Sequence, residues 1–249
     1  MPVNRRLMAL VISSSLLLSA SPVFAAEKNN SSKEVTYYSI GFLDSLVELF
    51  PELKGYHLTS ITMGTDTFQN EVIYIGIEKS DKKKDQAQLT IDRNTGEIVE
   101  YLGYHEAGDI SNSTAIKRAN AFMKKLVKKE HEKYVITDTA QGMVYYSKLV
   151  NDIPFVSAGY SILLDSKGTI TSFHKARLGE GFKEKDFAKP SKAMTITKAK
   201  KYLPEEWKKY DLRLVYMVTQ NKELKLVYQT VSGFSYAVVD AITGDLLEY

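Results

Sequence analysis

Leu89-Thr90-Ile91-Asp92-Arg93-Asn94-Thr95-Gly96-Glu97-Ile98 is an apolar, alternating run that ends on an aspartate, passes a glycine and then turns apolar again. The same order returns at Leu163-Leu164-Asp165-Ser166-Lys167-Gly168-Thr169-Ile170 and at Val238-Val239-Asp240-Ala241-Ile242-Thr243-Gly244-Asp245-Leu246. The aspartates stand 73 and 75 residues apart, a spacing that points to one supersecondary unit used three times. The residue types have a local cause: an aspartate carboxylate accepts from the backbone two residues on, and glycine takes positive φ without a Cβ clash. The corners are therefore expected to bend the chain and not to carry chemistry.

Working outward from each corner predicts the elements around it. Residues 38–50 place Ile40, Leu43, Leu46, Val47 and Phe50 at helical spacing, and Pro51 ends the run. Glu71 to Glu78 and Gln86 to Ile91 alternate as strands, joined through the charged Ser80 to Asp85, and Ile98 to Tyr101 follows the first corner. The second helix is the clearest, with Ser113 or Thr114 as N-cap and Ala115, Ile116, Ala119, Phe122, Met123, Leu126 and Val127 in one stripe. Strands are expected at Met143 to Val150, Tyr160 to Leu164 and Thr169 to Phe173. A short third helix starts at Thr195 or Thr197, turns Ile196, Ala199, Tyr202 and Leu203 inward and stops at Pro204. Strands at Leu212 to Val218, Leu224 to Thr230, Phe234 to Val239 and Leu246 to Tyr249 complete the chain. A hairpin with one apolar face needs a helix across that face, so the expected class is α+β: tandem modules, each one helix on a three- to four-stranded antiparallel sheet. The domain plan is a signal peptide over 1–25, a polar linker over 26–37, units over 38–108 and 109–178, a linker over 179–194 and a last unit over 195–249.

The N-terminus carries the three parts of a secretory signal: Arg5 and Arg6, an apolar run from Leu7 to Ala20, and small residues before a cleavage point after Ala25. That run is shorter than the roughly 20 residues a membrane span needs, and nothing later is long and apolar enough, so no transmembrane segment is expected after cleavage. The chain has no cysteine, which excludes disulfides, thiolate metal sites and a cysteine nucleophile. An exported protein without disulfides must rely on an ordinary hydrophobic core. The formal charge of +3 falls to +1 without Arg5 and Arg6, so nucleic acid is not an expected partner. Lysines cluster at Lys82 to Lys84, Lys124 to Lys129 and Lys198 to Lys209, which is compatible with weak affinity for an anionic cell-wall polymer.

Tyr146, Val150, Asn151, Ile153 and Pro154, followed by Ile162, Leu164, Asp165, Gly168 and Ile170, resemble the YcdB/YcdC-type repeat of exported bacterial proteins. The last unit is similar to a PepSY-type module through Thr197, Ala199, Leu226, Val227, Tyr228, Val239, Asp240, Ala241, Thr243, Gly244 and Leu246. The resemblance covers about the last 140 residues, and residues 34–104 echo it only weakly. Where the repeat usually carries Asn-Gly before Ile-Pro this chain has Asn151 and Asp152, and the tryptophan often found after the turn strand is missing. Such families imply small α+β modules outside the cytoplasm with binding or regulatory roles, in some cases on secreted peptidases, and no agreed catalytic residues.

The residues themselves offer no catalytic set, no cofactor fingerprint and no metal cluster. His57, His105, His131 and His174 are scattered and lack His-Glu-x-x-His spacing, and the adjacent pairs His105 with Glu106 and Glu130 with His131 point apart. Gly233-Phe234-Ser235-Tyr236-Ala237 approaches a nucleophile elbow, but its serine enters a strand. Ser80 and Lys83 have Ser-x-x-Lys spacing inside a charged loop, and Asp92 with Asn94 lacks the twelfth-position glutamate of a calcium loop. Glu205, Glu206 and Asp211 are the carboxylates left over for a distant partner. Among 16 tyrosines, Tyr74, Tyr145, Tyr146, Tyr160, Tyr216, Tyr228 and Tyr236 fall on strands, where they suit cross-strand packing or a recognition surface. The expected function is non-enzymatic: an exported protein that binds an extracytoplasmic peptide or protein by strand addition, or modulates a secreted peptidase. The rival is a cell-envelope protein that engages wall polymer or membrane surface through its lysines.

Overall fold

The computed structural model describes residues 43, 45–79, 86–103, 109–231 and 236–247. The protein is α+β and dominated by antiparallel strands, with few helices. It divides into two compact units, one of residues up to 128 with Ile162–His174, the other of Lys129–Ser161 with 175 onward. The chain returns to the first unit within one long strand, Ile153–Leu164, and leaves it again within the next, Ile170–Ala176. Among the described residues no helix is long and apolar enough to cross a membrane.

In the first unit, helix α1 (45–49) stops before Pro51, whose ring begins a 3-10 turn over Pro51–Leu53. Strands β1 (His57–Thr65), β2 (Glu71–Glu78), β3 (Gln86–Asp92) and β4 (Ile98–Gly103) pair in succession, and β4 pairs with β8 (Ile170–Ala176), all antiparallel. Ile73, Ile75 and Ile77 of β2 stand opposite Ile91, Leu89 and Ala87 of β3, so one sheet face is continuously apolar. Tyr101 and Phe173 pair on the same face, both fully buried. Helix α2 (Asn112–Val127) packs there through Ala115, Ala119, Phe122 and Met123, while Leu126 and Val127 are only half-buried. Phe50 bridges the layers, 4.2 Å from the Tyr101 ring and 5.4 Å from that of Phe122. The cap of α2 is Ser111, not Ser113 or Thr114: its Oγ accepts from the Thr114 N–H at 3.3 Å.

In the second unit, β5 (Tyr134–Ala140), β6 (Met143–Val150) and β7 (Ile153–Leu164) run in sequence, and β7 meets β9 (Leu212–Val218) in parallel at Phe155 and Tyr216. Strands β10 (Leu224–Thr230), β11 (Val238–Asp240) and β12 (Leu246–Leu247) follow antiparallel. Thr195 caps the short helix α3 (Ile196–Ala199) by accepting from the Lys198 N–H. Ala199 and Leu203 turn inward, but Ile196 and Tyr202 lie exposed, because the helix passes into a 3-10 turn at Lys200–Tyr202 and the 3.6-residue stripe is lost. The segment 179–194, expected as a linker, instead lies on the sheet: Phe187 enters the core, and Ala188 and Met194 offer carbonyls to the hydroxyls of Tyr216 (2.6 Å) and Tyr228 (2.7 Å).

Candidate functional site

The three corners share one hydrogen-bond scheme. Asp92 Oδ1 accepts from the N–H groups of Asn94 (2.9 Å) and Thr95 (2.8 Å), Asp165 Oδ1 from Lys167 (2.9 Å) and Thr169 (2.8 Å), and Asp240 Oδ1 from Ile242 (2.9 Å) and Thr243 (3.0 Å). Gly96, Gly168 and Gly244 have φ of 75°, 78° and 90°. The first and third corners match in further detail, since each threonine hydroxyl accepts from the N–H two residues on. The carboxylates are consumed in turning the chain, as Asx chemistry requires. Burial pushes the Asp240 carboxyl up, but the N–H groups of Thr243 and Ile242 and the Lys225 ammonium at 3.3 Å outweigh it and hold the group below the ordinary aspartate range.

Of the residues with chemical potential, His57 faces Glu78 at 3.3 Å across β1 and β2, and His174 faces Glu100 at 3.7 Å across β8 and β4. Register sets Thr62, Tyr74, Thr90, Glu100 and His174 side by side in a row across five strands. Thr90 donates to Glu100 at 3.1 Å, and bonds from His174 and Thr90 overcome desolvation to hold the Glu100 carboxyl below its usual range. Sequence spacing hides this row, because its successive members are 10 to 74 residues apart. Glu52 and Tyr101 form a second hidden pair in the first unit, each pushed up first by burial. Glu130 binds Lys133 at 2.8 Å, Glu205 binds Lys208 at 2.7 Å, and Glu206 and Asp211 are exposed to solvent. Among the described residues no three histidines, aspartates or glutamates converge as metal ligands. His105, Glu106, Ser80, Lys83 and the Gly233 to Ser235 part of the elbow-like stretch lie outside the described residues.

Of the seven tyrosines expected on strands, Tyr146, Tyr160, Tyr216 and Tyr228 are buried, Tyr74 and Tyr145 are half-buried, and Tyr236 is exposed. Among the described residues the longest edge strand is β1, which the tyrosine pattern does not mark. Among the described residues this nine-residue strand pairs only with β2. It contains no lysine, arginine, acid or proline, the residues that usually guard a sheet edge, and its single irregularity is a bulge between Leu58 and Ser60. Ile61 and Met63 stand opposite Ile75 and Ile73 on the core face, yet are 45% and 46% exposed. Among the described residues the core's apolar surface thus runs out to an unpaired edge. Tyr74 donates to the Thr65 carbonyl at 2.9 Å and pins the far end of the strand.

Two comparisons with known proteins bear on this architecture. Residues 55–177 match the family model of the YcdB, YcdC repeated domain, a stretch that begins at β1 and takes in the first two corners. Among solved structures, the Bacillus megaterium YpeB C-terminal domain superimposes with a TM-score of 0.60 at 15% identity, over 89% of this chain and 100% of that one, a likeness of fold. Among curated proteins the sequence finds no match. From residue 55 on, the weak echo read over residues 34–104 falls inside the stretch, residues 55–177, that matches the YcdB, YcdC repeated domain.

Proposed function

We propose that this is a non-enzymatic binding or regulatory protein that works outside the cytoplasm and takes an extended segment of a peptide or exported protein, such as a secreted peptidase, as an added strand on β1. The observation that carries the reading is an uncharged nine-residue edge whose apolar side chains Ile61 and Met63 are half exposed. An incoming strand would gain main-chain hydrogen bonds from the edge and specificity from alternate side chains laid against that shelf. Export through residues 1–25 supplies the compartment. The three corners mark one helix-and-hairpin module used three times, with the last unit PepSY-like, and tandem modules of this kind suit recognition better than catalysis.

The test is capture from spent native medium with wild-type protein, an Ile61→Lys variant and an Asp138→Ala variant. A partner held by wild type and Asp138→Ala but lost by Ile61→Lys supports the reading; a partner held equally by all three refutes it. The wall-polymer alternative rests on the exposed Lys124, Lys125, Lys128 and Lys129. Binding through those lysines fades as salt rises, whereas strand addition survives.

A further inference from the structure

A cavity of about 370 Å³ opens in the second unit, independent of β1 and within the size range of small-ligand sites. Its floor is aromatic. Phe155 meets Phe187 edge-on at 5.0 Å and Phe182 at 6.5 Å, and Phe187 meets Tyr216 edge-on at 4.9 Å. The arrangement is held from behind: Tyr216 donates to the Ala188 carbonyl at 2.6 Å, and the Gly179 N–H donates to the Ser157 carbonyl at 2.8 Å. Residue 179 has to be glycine, since a Cβ there would stand 2.6 Å from the Phe155 ring.

The wall of the cavity includes the β6–β7 turn, where Asn151 and Asp152 have φ of 50° and 62°. Two successive non-glycine residues in the left-handed region are uncommon, and Asn and Asp are the types that tolerate it best. The turn sets the Asn151 amide at the cavity, 3.5 Å from the Tyr216 hydroxyl. Lys148, at the end of β6, and Glu184, at the start of a 3-10 turn, are exposed lining residues that bring one positive and one negative charge.

We propose that this cleft binds a small free zwitterion with an apolar side chain, of dipeptide size. The phenyl floor takes the side chain, Glu184 takes the ammonium, Lys148 takes the carboxylate, and Asn151 offers an amide to the peptide bond. One charge of each sign distinguishes this ligand from a fatty acid or an anionic polymer, and a terminus of a longer chain would satisfy only one of the two.

Titration calorimetry of the protein with Leu-Phe, N-acetyl-Leu-Phe and Leu-Phe amide tests the assignment. Leu-Phe is expected to bind, and blocking either end to weaken it about fivefold. Glu184→Gln should weaken Leu-Phe by the same factor and leave N-acetyl-Leu-Phe unchanged; Lys148→Gln should do the mirror image with the amide. Both substitutions are on the surface and leave the core intact, and Ile61→Lys should change nothing. No heat with Leu-Phe at 10 mM-scale concentration, on the order of the weakest measurable affinities, or equal binding of blocked and unblocked peptides, would overturn the proposal.

Discussion

Strands β1 and β5 are both sheet edges, each with a bulge, and the protein treats them in opposite ways. Side chains from its own unit occupy two backbone groups of β5. Arg213 reaches up from β9 and donates to the Thr137 carbonyl at the bulge, with its other terminal nitrogen on Gln229 at 3.2 Å. Asp138 turns its carboxylate onto the Thr139 N–H at 2.8 Å, and Thr137 and Ser147 share a hydroxyl bond at 3.0 Å. A charge on the strand, a bulge and side-chain caps are the usual ways to make an edge unavailable. On β1, among the described residues, only the terminal Thr65 carbonyl is taken in this way, by Tyr74. Among the described residues, side-chain chemistry and not strand length distinguishes the two edges.

The largest expected effect comes from dismantling the closed edge. Arg213→Met leaves the Thr137 carbonyl and the Gln229 amide without their donor, and denaturant unfolding should show a loss of about 2 kcal/mol. A loss below about 0.5 kcal/mol would mean that the guanidinium does not plug the edge. Next is the open edge. Ile61→Lys should cut affinity for the captured partner by about tenfold, or ~1.4 kcal/mol. Because Ile61 is already 45% exposed, its unfolding free energy should move by less than about 0.5 kcal/mol. If affinity and stability fell together, β1 would be acting as core and not as an interface. A smaller effect is expected from Asp138→Ala, which uncaps the Thr139 N–H at a cost of about 0.5–1 kcal/mol and leaves partner binding unchanged.

The smallest effect is the response of the two units to acid. Glu52, in the unit that carries β1, is raised above the ordinary value of 4.5, mainly by burial, so the folded form holds its proton more tightly than the unfolded one. Its contribution makes that unit more stable as pH falls toward 4.5, and Glu52→Gln should abolish this rise in a pH series of thermal melts. Asp240, in the unit that carries β5, is lowered from 3.8, so its stabilisation is present above that value and is lost as pH falls through the folded value. Hydrogen exchange should therefore find β10 and β11 loosening below about pH 4 and tightening again in the presence of salt only weakly, because Asp240 is buried. Loosening of β10 and β11 already at pH 5 would contradict the assignment.

How much of this was legible in the sequence follows from burial. Strands β2, β3, β6, β9 and β10 stand where their alternation places them, because each has at least one face covered and period two records that cover. Strands β1 and β5 were not legible for the same reason in reverse. Their residues are almost uniformly exposed or uniformly half-buried, and the bulges break what alternation remains. The run of threonines with Ile61 and Met63 was the available signal for β1, through β-propensity and not through period. The corners were fully legible, since an Asx turn is local and needs only its own four or five residues. The row from Thr62 to His174 was not, because register brings its members together from five strands.

The most direct test of an open β1 beside a closed β5 is residue-resolved hydrogen exchange on the full protein with and without the captured partner. New protection is expected at amides within His57–Thr65 and none within Tyr134–Ala140. Protection that appears on Tyr134–Ala140, or a bound partner that leaves His57–Thr65 exchanging as before, would contradict it.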